Sequence, residues 1–497
     1  MTPHDLNVVL LAGSVVLILA VLAVRISAVV GLPSLLMYLG LGVLLGYDGA
    51  GVDFVNYDMA LVIGLSALIL ILAEGGLTTN WNNVKPTLGF GVLLATIGTS
   101  ISVGIVAVGA HYIFGLDWEL AVLIGAVLSP TDAAAVFSVL RAVPLKSRVS
   151  GVLETESGLN DAPIVVLVTA ISVGSIHDYG PLGFVALIVF ELVVGSFIGL
   201  LIGGGGARLL RRVALPSAGL YPLVVFAVTV FAYAVAATVH SSGFAAVYVA
   251  AVVLGNTELP HRSATRSFVE GIGLLAQIGL FVMLGLLVHP SDIDPWHLWV
   301  GIGVGALLTF VARPASVAMC ASWFRVGPRE QLFIGWAGLR GAVPIVLATI
   351  PLAHGLDSSL DLFNMTFVAV VVYTIVQAAP LGKLAKWCGV ESTRGREVEI
   401  DAAPLERISA DLLQIHVPES SKLAGVEVGE LRLPPGASVT MVVRDGSTMV
   451  PHRTTRIRVD DELLLVTTRE LRETVERRLR LVAEQGRLAG WDTTHGD

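Results

Sequence analysis

The sequence predicts an all-α polytopic membrane protein of about 13 transmembrane helices with inverted repeats, followed by a small α+β domain. Three observations carry that expectation. Of 497 residues, 55% are hydrophobic and only 14% charged, with a mean hydropathy of +0.80; a soluble protein would carry about 25% charged residues. Thirteen apolar segments follow one another before Lys386, each long enough for a span or close to it. Beyond that lysine the composition turns polar. The net charge of -8 says little, because charge is segregated by region.

The apolar segments run over 6–24, 28–46, 59–77, 87–112, 118–140, 150–174, 181–207, 218–238, 243–259, 268–288, 296–322, 330–353 and 362–382. Lysine and arginine in the connecting loops set the orientation. Arg25, Lys85, the Arg141/Lys146/Arg148 group, the Arg208/Arg211/Arg212 group, Arg262 with Arg266, and Arg325 with Arg329 occupy alternate loops, and the loops between them hold none. Lys383 and Lys386 follow the last segment. The alternation predicts an outside N-terminus and a cytoplasmic C-terminus; the expected location is the plasma membrane. The first segment lacks a basic n-region and a cleavage site, so it reads as a retained span rather than a signal peptide. Arg313 lies near the cytoplasmic end of its span and is expected to snorkel. That leaves Arg340 as the one deep cation. The two cysteines, Cys320 and Cys388, suggest neither a disulfide nor a metal site.

Two spans carry breaks. The fifth contains Ser129-Pro130-Thr131-Asp132 and the twelfth contains Gly338-Leu-Arg-Gly-Ala-Val-Pro344. Proline in a helix interior removes a hydrogen bond and clashes with the preceding turn. In a membrane the freed groups must find protein partners or a water-lined cavity. The breaks lie seven spans apart, an odd number, so the two helices run in opposite directions. Interrupted segments at matching positions of inverted halves point to a transporter's binding site. Ordinary proline kinks are the alternative, but each break also carries a charged residue.

Asn160 and Asp161 stand in the middle of the sixth span. A carboxylate in hydrocarbon is costly and marks a functional site by default. Glu74, Asp132, Glu154 and Glu156 also fall in apolar segments. A net-acidic cluster at membrane depth points to passage of a cation or proton. Helical spacing puts Glu154, Ser157 and Asp161 on one face and Glu156 with Asn160 on another. Glu154 is expected to line the cytoplasmic funnel; Glu191, in the seventh span, reads as structural or lipid-facing. His111, His240 and His354 fall at outer ends as interfacial residues.

The strings Leu72-Ala-Glu-Gly-Gly-Leu77, Ser129-Pro-Thr-Asp132, Glu156-Ser-Gly-Leu-Asn-Asp161 and Gly338-Leu-Arg-Gly-Ala-Val-Pro344 resemble those of NhaP-type cation:proton antiporters. Ser242-Gly-Phe-Ala-Ala-Val-Tyr-Val-Ala-Ala-Val-Val-Leu-Gly255 is similar to the potassium/proton branch. The resemblance covers residues 1–390. It implies two crossing broken helices, with Asp161 holding alternately a proton and the cation. It further implies that Asp132, Thr131, Ser157 and Glu74 contribute to an oxygen shell, which suits Na⁺ or K⁺. Glu156, Asn160 and Arg340 would form a structural ion-pair group. No cofactor, no resident metal and no enzymatic reaction is implied.

Residues 391–404 read as a linker, 405–482 as a small domain and 483–497 as a loosely ordered tail. Strand character at Ala410 to Val417, Ser438 to Val443 and Asp461 to Thr467, then a helix at Leu471 to Leu481, gives an order similar to the TrkA-C domain, the C-terminal part of regulators of potassium conductance. Such a resemblance implies a homodimer and a small ligand or nucleotide as regulator. A dinucleotide fingerprint is not seen in the sequence, nor a nucleic-acid-binding one.

The expected function is therefore secondary antiport of K⁺ or Na⁺ against H⁺ across a lipid membrane, with asparagine at 160 favouring electroneutral exchange. The alternative is a cation channel gated by the cytoplasmic domain, but no carbonyl-filter signature is found. An ATP-driven pump is disfavoured by the lack of a P-loop.

Overall fold

A computed structural model describes residues 3–30, 33–132, 135–136, 143, 145–174, 176–213, 215–257, 259–392, 400–405, 410–418 and 420–489. Arg141, most of the second half of the broken fifth span, residues 393–399 of the expected linker and residues 490–497 lie outside the described residues. The chain forms two compact units, Met1–Glu391 and Ser392–Asp497.

The first unit is built of helices: α1 (Pro3–Val30), α2 (Ser34–Leu45), α3 (Tyr57–Thr78), α4 (Leu88–Phe114), α5 (Trp118–Leu128), α6 (Ser147–Leu159), α7 (Asp161–Ser172), α8 (Ile176–Arg212), α9 (Leu220–Thr238), α10 (Gly243–Gly255), α11 (Arg262–Leu287), α12 (Pro295–Ala321), α13 (Pro328–Trp336), α14 (Ala342–Ala353), α15 (Ser359–Ala378) and α16 (Leu381–Cys388). Among the described residues, seven helices are long and apolar enough to cross a membrane. The apolar window of α8 is only 11% buried, and Val193 and Phe197 point outward, as lipid contact requires. The segment boundaries shift in places. Helix α1 continues through Arg25 to Val30 rather than ending before it, since nothing local stops a helix there.

The helices gather into two bundles. α8, α9 and α10 pack together, α10 lies on α3, and α11 lies on α2 and α3. Backbones approach closely where side chains are absent: a Cβ on Gly42 of α2 would lie 2.8 Å from the Cα of Gly285 on α11, the small-residue contact favoured in lipid. The second bundle joins α4 to α5 and α6, and α15 to α12 and α14. The bundles meet chiefly where α3 packs on α14.

The internal repeat extends beyond the two breaks. Helix α4 contains a π-helical turn at Leu94–Gly98, and α12 contains one at Leu308–Ala312. Each precedes a broken span, and each packs against the other's helix. A π turn inserts one residue into the helical repeat and rotates the helix beyond it, and such turns are frequent at functional sites.

In the second unit, β1 (Ile400–Leu405), β2 (Ala410–His416), β3 (Ala437–Arg444), β4 (Ser447–Met449) and β5 (Glu462–Thr468) form an antiparallel sheet in the order β1-β2-β5-β3-β4. Strand β1 falls mostly in the stretch read as linker; its pairing with β2 supplies hydrogen-bond partners that the local sequence does not advertise. Helix α17 (Arg472–Gln485) extends past the expected domain end and buries Val475, Leu479 and Val482 with Leu413, Ile415, Val442, Leu463 and Leu465 of the sheet.

Candidate functional site

Both breaks form where the sequence places them, and they cross. Helix α5 ends at Leu128, and Ser129 to Asp132 are not helical; α13 ends at Trp336, and α14 begins at Ala342. The freed backbone groups satisfy one another. The Asp132 N–H donates to the Leu339 carbonyl at 2.9 Å, and the Ala342 N–H donates to Asp132 Oδ2 at 2.6 Å. Arg340 Nε donates to the Leu128 carbonyl at 3.3 Å, and its Nη1 donates to the Gly338 carbonyl. The Thr374 hydroxyl donates to the Arg340 carbonyl at 2.6 Å. Gly341 is required because a Cβ there would overlap the Asp132 carboxylate. Buried backbone groups must be paired, so this exchange fixes the crossing.

The sixth span is itself interrupted. α6 ends at Leu159, α7 begins at Asp161, and Asn160 joins them with near-helical angles (φ -73, ψ -22). Pro163 supplies the cause, having no N–H for the carbonyl of Leu159. Asp161 is 2% exposed and close enough to Asp132 for their charges to interact. Its Oδ1 has no hydrogen-bond partner among the described residues. The Asn160 amide nitrogen donates to the Thr131 hydroxyl at 2.7 Å, tying the sixth span to the first break. The buried Ser157 hydroxyl donates to the Leu153 carbonyl at 2.8 Å, so its oxygen retains acceptor capacity.

Glu74 is buried on α3. Its described contacts lie on α11, where Gln277 Nε2 donates to Oε2 at 3.5 Å and Gly273 leaves room for the carboxylate. Those contacts place it in the first bundle, whereas Asp132, Thr131, Asn160, Ser157 and Asp161 belong to the second.

The expected ion pair is corrected. Glu156 pairs with Arg313, not Arg340: Nη1 and Nη2 of Arg313 grip the two carboxylate oxygens, the second at 2.7 Å. Both residues are 1% exposed. Arg313 does not snorkel to the membrane surface. The π turn ending at Ala312 immediately precedes it, and its guanidinium packs beside Gly338 of the second break, 2.7 Å from where a Cβ would sit. Linear depth in a span misjudges it, because the partner that holds it stands 157 residues away in the chain. Arg340 keeps its place at the break but bonds to backbone carbonyls.

Known proteins share these features. Residues 15–387 match the family model for the transmembrane sodium/hydrogen exchanger, and residues 412–480 match the TrkA-C domain. The K(+)/H(+) antiporter NhaP of Alkalimonas amylolytica is 33% identical over 470 residues, covering 93% of this chain and 81% of that one. The K(+)/H(+) antiporter NhaP2 of Shewanella oneidensis is 32% identical over 475 residues, covering 94% and 82%. The solved structure of the sodium proton antiporter MjNhaP1 from Methanocaldococcus jannaschii superimposes with a TM-score of 0.64 at 21% identity, over 77% of this chain and 99% of that one. The chain belongs to the transmembrane sodium/hydrogen exchanger family and carries a TrkA-C domain after its membrane part.

Proposed function

We propose that the protein is a secondary antiporter that exchanges a monovalent cation, K⁺ or Na⁺, for H⁺ by alternating access. One observation carries the reading: Asp161 is buried within electrostatic reach of Asp132, next to the Asn160 that bonds Thr131 of the first break, with a carboxylate oxygen free of protein partners among the described residues. Asp161 is the carrier. Deprotonated, it takes the cation with oxygens from Asp132, Thr131 and Ser157; protonated, it carries H⁺ back. Two carboxylates in one low-dielectric site repel each other when both are charged, so a cation or a proton is needed there in either state. The names of the relatives support K⁺ or Na⁺ as the exchanged ion. Asn160 holds Thr131 and does not titrate, so one carboxyl group changes its load and exchange is one for one.

The Arg148 side of the membrane is cytoplasmic in this reading, the protein is a plasma-membrane homodimer, and the TrkA-C domain modulates rate in response to a small ligand. The test is proton flux in proteoliposomes on separate addition of K⁺ and Na⁺. Asp161→Asn should abolish exchange in a protein that elutes and melts like the parent. Robust exchange by that variant would falsify the carrier assignment.

A further inference from the structure

Glu154, Gly158 and Asp161 stand at positions i, i+4 and i+7 and share a face, which the near-helical Asn160 keeps continuous across the α6–α7 junction. The two ends of that face differ. Glu154 is partly exposed, whereas Asp161 is 2% exposed. The residue between them has no side chain, and its space is filled from elsewhere. The ring of Tyr248, on α10, lies against Gly158 so closely that a Cβ there would overlap the ring, with Cε1 2.9 Å away. The Tyr248 hydroxyl donates to the Glu154 carbonyl at 3.2 Å, and the residue is itself 5% exposed.

We propose that Tyr248 is the gate between Glu154 and the carrier carboxylate, closing the Arg148-side route to Asp161 with its ring. The inference rests on the antiport reading only in naming Asp161 as the carrier. Tyr248 belongs to the first bundle and Asp161 to the second, so the ring is not fixed to the helix it covers. A relative shift of the bundles slides it off Gly158 and breaks its hydrogen bond to the Glu154 carbonyl. Gly158 is needed because a side chain there would displace the ring. Glu154, with a carboxylate oxygen unpartnered among the described residues, then meets the ion or proton first. Tyr248 acts by position, without touching the exchanged ion in the closed arrangement.

The test reads accessibility rather than transport, so its failure is distinct from failure of the antiport reading. Asp161→Cys is introduced into the full-length protein in membrane vesicles. Labelling by a small cationic methanethiosulfonate is followed from each side, with the chain bearing Asp161 as the blank for Cys320 and Cys388. With Tyr248 present, labelling from the Arg148 side should be slow. Tyr248→Ala should raise it at least about tenfold on that side only, the shift expected when a closed state loses its favoured population. Tyr248→Phe keeps the ring and should label like the parent. With Asp161 restored, Tyr248→Ala should change the half-saturating cation concentration on the Arg148 side more than maximal turnover, and Tyr248→Phe should rescue it. If Tyr248→Ala does not fold, Tyr248→Leu replaces it. Equal labelling of the Ala or Leu and parent chains overturns the gate, as does fast labelling of the Phe chain.

Discussion

The Glu156–Arg313 pair makes a quantitative demand on the fold. Both residues are 1% exposed, and the guanidinium holds the carboxylate through two parallel bonds. Removing one member of such a buried pair strands the other's charge, at a cost of about 3–5 kcal/mol. Arg313→Met removes the charge and keeps much of the volume, so nearly all of that cost should appear as lost stability. The double change Glu156→Leu with Arg313→Met removes both charges, and replacing a buried pair with apolar groups of similar volume is neutral or stabilising by about 1–4 kcal/mol. The double variant should therefore melt close to the parent and well above either single one. Arg266→Ala is the control, because the Arg266–Glu270 pair is exposed, at 63% and 43%, and such pairs contribute about 0–1 kcal/mol. A cycle pairing Glu156 with Arg340 should show weaker coupling, since the described hydrogen bonds of Arg340 run to backbone carbonyls. The assay is thermal unfolding of purified protein in detergent. If Arg313→Met costs no more than Arg266→Ala, or if the double variant loses the sum of the two singles, the pair does not have the energetic role assigned to it.

Other expectations rest on the same geometry. Gly341→Ala should push Asp132 off the Ala342 N–H and lower both stability and exchange; full exchange in that variant would contradict the crossing of the two breaks. Truncation after Glu391 should leave exchange intact with altered regulation. Truncation after Cys388 should destabilise the membrane unit, because Val390 is fully buried and its carbonyl accepts from Lys146, and burying a valine contributes about 1.5–3 kcal/mol. Equal melting of the two truncated chains would refute this. In the second unit, burial works to raise the Asp461 carboxyl, but bonds from Arg444 at 2.8 and 2.7 Å and from the Arg458 N–H hold it below the ordinary carboxylate value. A lowered folded value means that the stabilisation is full above about pH 4, the unfolded value, and disappears as pH falls through the folded one. Asp461→Asn should thus loosen protection of β3 and β5 in the full-length protein at about pH 7, and the difference from the parent should shrink as the pH falls below the ordinary carboxylate value of about 4; a difference independent of pH would count against it. Exchange should not follow a membrane potential clamped with valinomycin in a Na⁺ assay, and a rate that tracks voltage would overturn one-for-one stoichiometry.

Much of the architecture was legible because hydrocarbon imposes few solutions. Apolar length shows where helices run, and proline at Pro130 and Pro344 shows where they fail. The odd spacing of the two breaks announced the inverted repeat, and Asp161 declared itself as an acid no membrane helix carries without cause. Partner choice was not legible. Arg313 and Arg340 are both arginines in apolar spans, and which one meets Glu156 depends on a π turn that rotates α12 and on the empty space at Gly338. Neither has a signature in linear sequence. The same limit applies to Tyr248, one aromatic residue in an apolar helix until packing sets its ring on Gly158. Strand β1 likewise reads as linker until β2 offers it hydrogen bonds. Local chemistry, backbone hydrogen bonding and the cost of charge in lipid act along the chain and can be read there. The pairing of groups far apart in the chain, as Glu156 and Arg313 are (|i−j| of 157), is decided only when the helices pack and one geometry excludes the others.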